Sequence, residues 1–325
     1  MSVPAPRTQN PKIAKRSAFA VAAAATLALL VSGCTSAEPA PAAVETAEVT
    51  VSHAQGETTV PVNPTRVLTF DIAALTTLDA LGVDVLGVPK ANLPGELEKF
   101  NTDAYENIGT LFEPDYEAVN AANPDLIIVA GRSAAVYPEL SKIAPTIDLS
   151  NDAADFAASV IAGAETLGTI FDKEAEVAAM VDSLDASVAE VTALAKDAGT
   201  ALIVMTNAGE ISAFGPGSRF GFLHDSLGVT PAVADVEAAT HGEAVSFEFL
   251  LETDPDWLFV VDRDSAIASG TGNAHEVLDN AIVHETSAWQ NDQIVYVDPV
   301  AWYIVNGGLS NLQNMTDEVA TALAP

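Results

Sequence analysis

The stretch DYEAVNAANPDLIIVAGR at residues 115–132 is echoed by SFEFLLETDPDWLFVVDR at residues 246–263. Each stretch predicts a short helix, a turn at Asn-Pro-Asp or Asp-Pro-Asp, a buried strand, and an arginine where the strand ends. Identical residues recur at an offset of 131 positions, among them Glu117 and Glu248, Pro124 and Pro255, Asp125 and Asp256, and Arg132 and Arg263. A unit that recurs once, far along the chain, indicates two similar lobes.

Strand and helix patterns alternate around each copy of this unit. In the first half, a strand at 67–70, a helix from Asp71 to near Leu81 and a strand at 83–89 form a β-α-β unit, which predicts a parallel sheet. Further strand patterns follow at residues 126–130, 145–149, 201–205, 257–261 and 294–298. We expect an α/β fold with two lobes, each built on a mainly parallel sheet flanked by helices.

A long helix is predicted between the two copies. Residues 172–198 contain neither glycine nor proline, and apolar residues recur there at helical spacing. Such a helix is about 40 Å long and would join the lobes rigidly, so that the cleft between them closes little on binding. The predicted divisions are an N-terminal lobe at 51–165, a connecting helix at 166–198 and a C-terminal lobe at 199–325.

The first residues predict export from the cytoplasm. A basic start precedes an apolar run at 17–31 that is too short to span a bilayer, so residues 1–33 are interpreted as a signal peptide. The run ends in Val-Ser-Gly-Cys, which resembles the lipobox of bacterial lipoproteins and implies a lipid on Cys34. An ordinary signal peptide with an incidental cysteine is the alternative. Residues 34–50 are rich in Ala, Pro, Glu and Thr and are interpreted as a flexible tether.

The remainder of the chain is strongly acidic. Four of the 13 basic residues lie in the signal peptide, which leaves 9 basic against 45 acidic side chains and a net charge of −36. Nucleic acid is thereby excluded as a partner, because phosphate binding needs many lysines and arginines. Solubility outside the cell accounts for the acidity. Beyond the signal peptide the arginines are Arg66, Arg132, Arg219 and Arg263.

Three of these arginines predict an anion-binding cleft. Arg132 and Arg263 follow apolar strands, and ligands of α/β sheets collect beyond the carboxyl ends of the strands. Arg219 lies in the glycine-rich turn FGPGSRFG at 214–221. Guanidinium groups present a planar set of donors that suits oxyanions. Salt bridges at the sheet edges, and a plain surface turn around Arg219, are the alternatives.

An imidazole and a phenol accompany the arginines. His241 is a loop residue beside a glycine, and Tyr303 follows a predicted strand end. Both donor types can bind iron, although a loop histidine is often a bystander and a tyrosine often packs half-buried. No nucleophile elbow, kinase set or dinucleotide fingerprint is present, so we predict a binding protein with no catalytic residue. An enzyme that used His241 as a base would need a nucleophile or a stable metal beside it.

Glu117 and Glu248 occupy early positions of the two repeated helices. A favourable interaction with the helix dipole explains them. A matched pair of docking charges, one on each lobe, explains them equally well.

From about Val51 onward, the chain resembles the substrate-binding lipoproteins of ferric-siderophore ABC importers, and in particular the group for catecholate siderophores such as petrobactin. The resemblance is carried by residues 107–132, 214–229, 239–250, 254–263 and 297–309, which are spread over both predicted lobes. The segment 298–308 departs from the group in being plainly apolar.

The resemblance implies roles for the candidate residues. It implies that Arg132, Arg219 and Arg263 hold an anionic ferric catecholate. It implies that His241 and Tyr303 complete the iron coordination when the siderophore supplies too few oxygens. It also implies that the two glutamates face an ABC permease. The expected protein has no cofactor of its own, carries ferric iron as a siderophore complex, is monomeric and is anchored outside the cell membrane through Cys34. A haem or cobalamin receptor of the same fold is the alternative.

Overall fold

The computed structural model describes residues 47–91, 93–236, 242–268 and 273–325. The predicted signal peptide, Cys34, most of the tether and His241 lie outside these ranges. Within them, no helix combines the length and the apolar character that a membrane crossing requires.

The described chain begins with an antiparallel hairpin of β1 (Glu48–His53) and β2 (Gly56–Pro61). Val51 and Val60 are buried against the first sheet, while Thr50 and Thr59 join their hydroxyls at 2.8 Å on the outer side. Residues 48–50 therefore belong to the folded lobe, and the predicted tether boundary at residue 50 is too late. The mixed, Thr-rich composition of this hairpin hid its period-two pattern.

The first sheet is entirely parallel, with strand order β5-β4-β3-β6-β7. Its strands are β3 (Val67–Thr69), β4 (Gly87–Val88), β5 (Glu106–Asn107), β6 (Leu126–Val129) and β7 (Thr146–Asp148). The helices around it are α1 (Ile72–Ala80), α2 (Tyr116–Ala122), α3 (Tyr137–Leu140) and α4 (Phe156–Ile170). As predicted, Asp71 caps α1, accepting a 2.6 Å hydrogen bond from the Ala74 amide.

The second sheet has strand order β11-β9-β8-β12-β13, with β10 beside β8. Its strands are β8 (Thr200–Asn207), β9 (Glu210–Phe214), β10 (Thr230–Pro231), β11 (Glu243–Val245), β12 (Trp257–Asp262) and β13 (Ile294–Tyr296). β9 runs antiparallel to both of its neighbours, β8 and β11, whereas the other five strands run in one direction. The helices are α5 (Glu174–Ala195), α6 (Phe222–Asp225), α7 (Phe247–Thr253), α8 (Arg263–Ala266), α9 (Ala274–Leu278), α10 (Ser287–Gln290) and α11 (Leu309–Leu323). The predicted α/β class with two helix-flanked sheets is confirmed.

The segment between the sheets consists of two helices rather than one. The predicted connecting helix at 166–198 begins inside α4, and the chain breaks at Asp172, whose φ of 52° is left-handed. After the break, α5 runs for 22 residues, or about 33 Å. Val177, Leu184 and Val191 along α5 are buried in the core that also contains β8 and α11. The long helix is thus held by packing along its length.

The sequence repeat reappears in three dimensions. Both α2 and α7 span 7 residues and end in a left-handed residue, Asn123 or Asp254. The repeated aspartates make equivalent contacts, since Asp125 accepts the Arg66 amide at 3.1 Å and Asp256 accepts the Thr200 amide at 2.7 Å. Each carboxylate ties the repeat's strand to the start of the neighbouring parallel strand. The Pro-Asp pairs therefore fix where β6 and β12 begin, and the length of each strand then sets where its arginine lies.

Candidate functional site

Arg132 lies directly beyond β6, in a 3-10 turn at Gly131–Val136. The Gly131 amide donates to the Ser150 hydroxyl at 2.8 Å, and that hydroxyl donates to Asp148 at 2.5 Å. Ser133 is buried, and its hydroxyl bonds both backbone groups of Ala130, three residues earlier. These contacts direct the half-buried guanidinium towards the chain after β13.

Arg219 is presented by the glycine-rich turn that follows β9. The Ser218 hydroxyl donates to the Gly215 carbonyl at 2.6 Å, and Phe220 packs edge-on against Phe214 at 4.6 Å. The Gly217 amide donates to Asp225 at 2.7 Å. Since that amide is already bonded within the chain, the turn offers an anion the arginine side chain rather than a backbone nest.

Arg263 lies beyond β12, at the position equivalent to Arg132. It is the first residue of α8, whose cap Asp262 accepts the Ser265 amide at 2.9 Å. Its Nη1 donates to the Asn207 side-chain oxygen at 2.8 Å, and its Nε donates to the Tyr303 hydroxyl at 2.8 Å. Asn207, at the end of β8, is a positioning residue that the sequence interpretation missed.

All three guanidinium groups meet at Tyr303, which lies in a π-helical segment at Val300–Val305. The Tyr303 carbonyl accepts from Arg132 Nη2 at 2.7 Å and from Arg219 Nη2 at 2.5 Å. The Tyr303 ring lies 4.5 Å from the Arg219 guanidinium carbon and 5.5 Å from that of Arg263. The sequence predicted that the arginines share one region, and the structure brings them together around a single residue.

Among the described residues, none of these three arginines forms an ion pair with a carboxylate. The salt-bridge alternative for Arg132 and Arg263 is therefore wrong within the described ranges. Instead, their partners are neutral oxygens of Tyr303, Ile304 and Asn207. A neutral carbonyl leaves the guanidinium charge uncompensated, so an anionic ligand gains more than it displaces.

The charges of the cluster act on one another. Burial lowers the pKa of Arg219 to about 10, and the charge of Arg132 adds to this shift. Contact with Tyr303 opposes it, while Arg263 lowers the value further. Arg219 remains protonated at neutral pH, but burial of its charge costs free energy. A bound oxyanion would reduce that cost.

Arg132 and Arg219 line a cavity of about 480 Å³. Its wall also includes Asp71, Asn151, Phe156 and Asn306, whereas Arg263 and Tyr303 do not line it. The volume suits a small-molecule ligand. The cavity is formed by chain segments from both sheets, as the repeat predicted.

Asp71 is a wall residue that the sequence interpretation treated only as a helix cap. It directly follows the strand pattern at 67–70, so the rule used for the arginines applied to it as well. Burial raises the pKa of its carboxyl, and the Ala74 amide and the charge of Arg132 oppose the shift. An ionised carboxylate in this position is costly to the fold.

We expect Asp71→Asn to raise the melting temperature at pH 7.5 by about 2 °C or more, because asparagine caps a helix equally well without the half-buried charge. Because the pKa of Asp71 is higher in the folded protein than in the unfolded chain, the folded protein binds more protons. The destabilisation caused by the ionised carboxylate therefore grows as pH rises. The gain should therefore vanish near pH 4. Asp115→Asn, at the exposed cap of α2, is the control. A lower melting temperature for Asp71→Asn at pH 7.5 would contradict this account.

The remaining candidates lie elsewhere. Glu117 and Glu248 are both exposed in the first turns of α2 and α7, at matching positions of the two lobes. His241 and Cys34 lie outside the described residues, and Gly242 resumes the chain beside the ring of Phe214. No cluster of three or more His, Cys, Asp or Glu side chains suited to a metal occurs in the described ranges.

The family model described as "Periplasmic binding protein" matches residues 69–301. The petrobactin-binding protein YclQ of Bacillus subtilis is 43% identical over 281 residues, covering 85% of this chain and 88% of YclQ. Its crystal structure superposes with a TM-score of 0.82, covering 86% of this chain and 99% of that one. The ferric-anguibactin-binding protein FatB of Vibrio anguillarum is 35% identical, with 83% and 86% coverage. The catecholate-siderophore binding protein VctP of Vibrio cholerae is 33% identical, with a TM-score of 0.81 and coverage of 85% and 98%.

Proposed function

The chain belongs to the periplasmic binding protein family, and from this premise we propose that it is an extracytoplasmic receptor that binds a ferric siderophore and delivers it to an ABC permease. The observation that carries the proposal is the meeting of Arg132, Arg219 and Arg263 at Tyr303, without a carboxylate partner among the described residues. The chain carries a net charge of −36 beyond the predicted signal peptide, so three arginines at one place, without a carboxylate partner in the described ranges, indicate a site for an anion.

Catecholate oxygens fit this site chemically. They surround iron(III) as a strongly anionic, flat-sided complex, to which charge-assisted hydrogen bonds from guanidinium are well suited. On binding, Arg132 and Arg219 exchange the Tyr303 carbonyl for ligand oxygens, while Asn207 keeps Arg263 in place. Since each arginine is already directed into the region by the fold, little side-chain entropy is lost.

The relatives support a siderophore over the haem or cobalamin alternative. YclQ, FatB and VctP are each named for a siderophore or its ferric complex, and they match at 33% identity or more across most of their length. Haem carries only two anionic propionates on an apolar ring system, so three arginines are more than it requires.

We also propose the finer features of the receptor. His241 and Tyr303 supply iron ligands when the siderophore leaves coordination sites open. Glu117 and Glu248 contact the permease, and a lipid on Cys34 holds the monomer at the membrane. The arginines, His241 and Tyr303 act by binding rather than by turnover, and ferric iron enters as cargo within the siderophore complex.

Tryptophan fluorescence provides the direct test. Trp302 is buried beside Tyr303 and donates to Glu318 at 2.8 Å, so a ferric chromophore in the cleft should quench it. We expect saturable quenching of the Cys34→Ser mature chain by ferric catecholates, and weak or no quenching by ferric hydroxamates, haem or cobalamin.

The variant Trp302→Phe is the control, because it keeps Trp257 and Trp289 and should lose most of the signal. Tight binding of haem or cobalamin with no response to ferric catecholates would overturn the proposal.

A further inference from the structure

Large exposed hydrophobic side chains are few in the described part of the chain, and they are not scattered. The four are Phe112 (66% exposed), Ile267 (41%), Tyr116 (39%) and Leu251 (37%). Phe112 and Tyr116 lie within five residues of Glu117, and Leu251 lies three residues after Glu248. Three of the four thus flank the two glutamates that the repeat places at matching positions.

Phe112 is held outward by a rigid turn. The Thr110 hydroxyl accepts the amides of Phe112 and Glu113 at 3.3 and 2.9 Å, and the Thr110 amide donates to the Glu113 carbonyl at 3.0 Å. Gly109, with a φ of 101°, closes the turn where a Cβ would lie 2.5 Å from the Asp115 amide. An aromatic ring kept in water by a fixed backbone is preorganised for a partner.

The second lobe repeats the arrangement on a helix. Glu248 and Leu251 are three positions apart on α7, so their side chains share one face. Both are exposed. On each lobe an apolar side chain therefore stands beside an anionic one.

We propose that these two patches, Phe112-Tyr116-Glu117 and Glu248-Leu251, are composite docking sites for the permease. The apolar side chains supply most of the affinity, and the glutamates fix the position in which the two proteins dock. The inference rests on the proposed function and extends it. Interfaces depend on aromatic and apolar anchors within a polar rim, while exposed ion pairs contribute little alone.

The charge around the patches identifies the kind of partner. Glu113, Asp115 and Glu117 are close to Phe112 and Tyr116 in the sequence, and all three residues are exposed. Such a patch is repelled by anionic lipid headgroups and by a second copy of this acidic chain. It fits a protein surface on which cationic side chains adjoin an apolar pocket.

The test uses the full lipid-anchored chain in its source bacterium, with each variant replacing the chromosomal copy. Uptake of radiolabelled iron as a ferric catecholate is measured, and the affinity of each purified variant for the same chelate is measured by quenching. We expect Phe112→Ser and Leu251→Ser each to lower uptake by about 5- to 30-fold at unchanged chelate affinity. Ile267→Ser, the matched exposed residue outside the patches, should change neither.

Wild-type uptake in both Phe112→Ser and Leu251→Ser would overturn the docking proposal. Sedimentation of the mature chain provides a second check: a wild-type dimer that Phe112→Ser dissociates would make the patch an interface between copies and also overturn it. Failure of the wild-type chain to bind the chelate would instead reject the proposed function, so the two failures are distinguishable.

Discussion

Replacing Arg132 or Arg219 with alanine will weaken ferric catecholate binding by about 10- to 100-fold each, the range expected for a lost charge-assisted hydrogen bond. Both side chains line the cavity, and both hold neutral carbonyl oxygens that a ligand can replace. The loss should be similar for hexadentate and tetradentate ligands, because the guanidinium groups recognise charge on the ligand rather than vacant sites on iron. Equilibrium quenching titrations at fixed ionic strength measure it.

Lys142→Ala is the matched control for the loss of one positive charge. Lys142 is exposed and pairs only with the neighbouring Glu139 among the described residues, at 2.5 Å. If long-range attraction governed binding, this variant would lose as much as the arginine variants. Unchanged affinity in Arg132→Ala and Arg219→Ala would remove the anion-binding interpretation of the cleft.

Arg263→Ala should act differently from the other two, although we expect it too to weaken both ligand classes. Its guanidinium does not line the cavity and bonds the Tyr303 hydroxyl and Asn207. Losing it removes one positive charge and also frees the phenol. The affinity loss should therefore depend more strongly on which ligand is bound.

Much of the fold was predictable because short stretches of the sequence specify its strands and turns. The Pro-Asp turns and the apolar runs of 126–129 and 257–261 fixed two strands, and their spacing revealed two lobes. What the sequence could not show was the left-handed break at Asp172, because an aspartate adopts that conformation only when the surrounding packing imposes it. The run without glycine or proline begins at residue 172 and agrees with α5, but the connecting helix predicted at 166–198 was extended back across this break into α4.

The candidate site was predictable to the level of residue type and strand end. The parallel-sheet rule located Arg132 and Arg263, and the glycine-rich turn drew attention to Arg219. The hydrogen-bond partners of these arginines were not predictable. Arg132 and Arg219 share the backbone carbonyl of Tyr303, which lies 171 positions from Arg132. A carbonyl carries no signature in the sequence, and its location depends on how the π-helical segment 300–305 packs.

Removing both proposed iron ligands, in a His241→Ala and Tyr303→Phe double variant, will separate siderophores by their denticity. Octahedral iron takes about six donors, so a tetradentate siderophore leaves roughly two sites for the imidazole and the phenol. We expect tetradentate ferric complexes to lose about 100-fold in affinity and hexadentate ones less than about 5-fold, following the usual cost of disturbing a metal's ligands. Competition titrations with each chelate measure the difference.

The Tyr303→Phe single variant separates iron coordination from arginine positioning, because this phenol also contacts two of the arginines. Its hydroxyl accepts from Arg263, and its ring is in contact with the guanidinium groups of Arg219 and Arg263. Tyr303→Phe keeps the ring and the carbonyl that orients Arg132 and Arg219, so only the hydroxyl is lost, and Asn207 still holds Arg263. Tyr105→Phe, whose ring packs on Phe100 at 4.8 Å, is the control for loss of a phenol elsewhere. A loss confined to tetradentate complexes identifies the hydroxyl as an iron ligand. Equal losses for both classes would show that it serves only to position Arg263, and the coordination role would have to be abandoned.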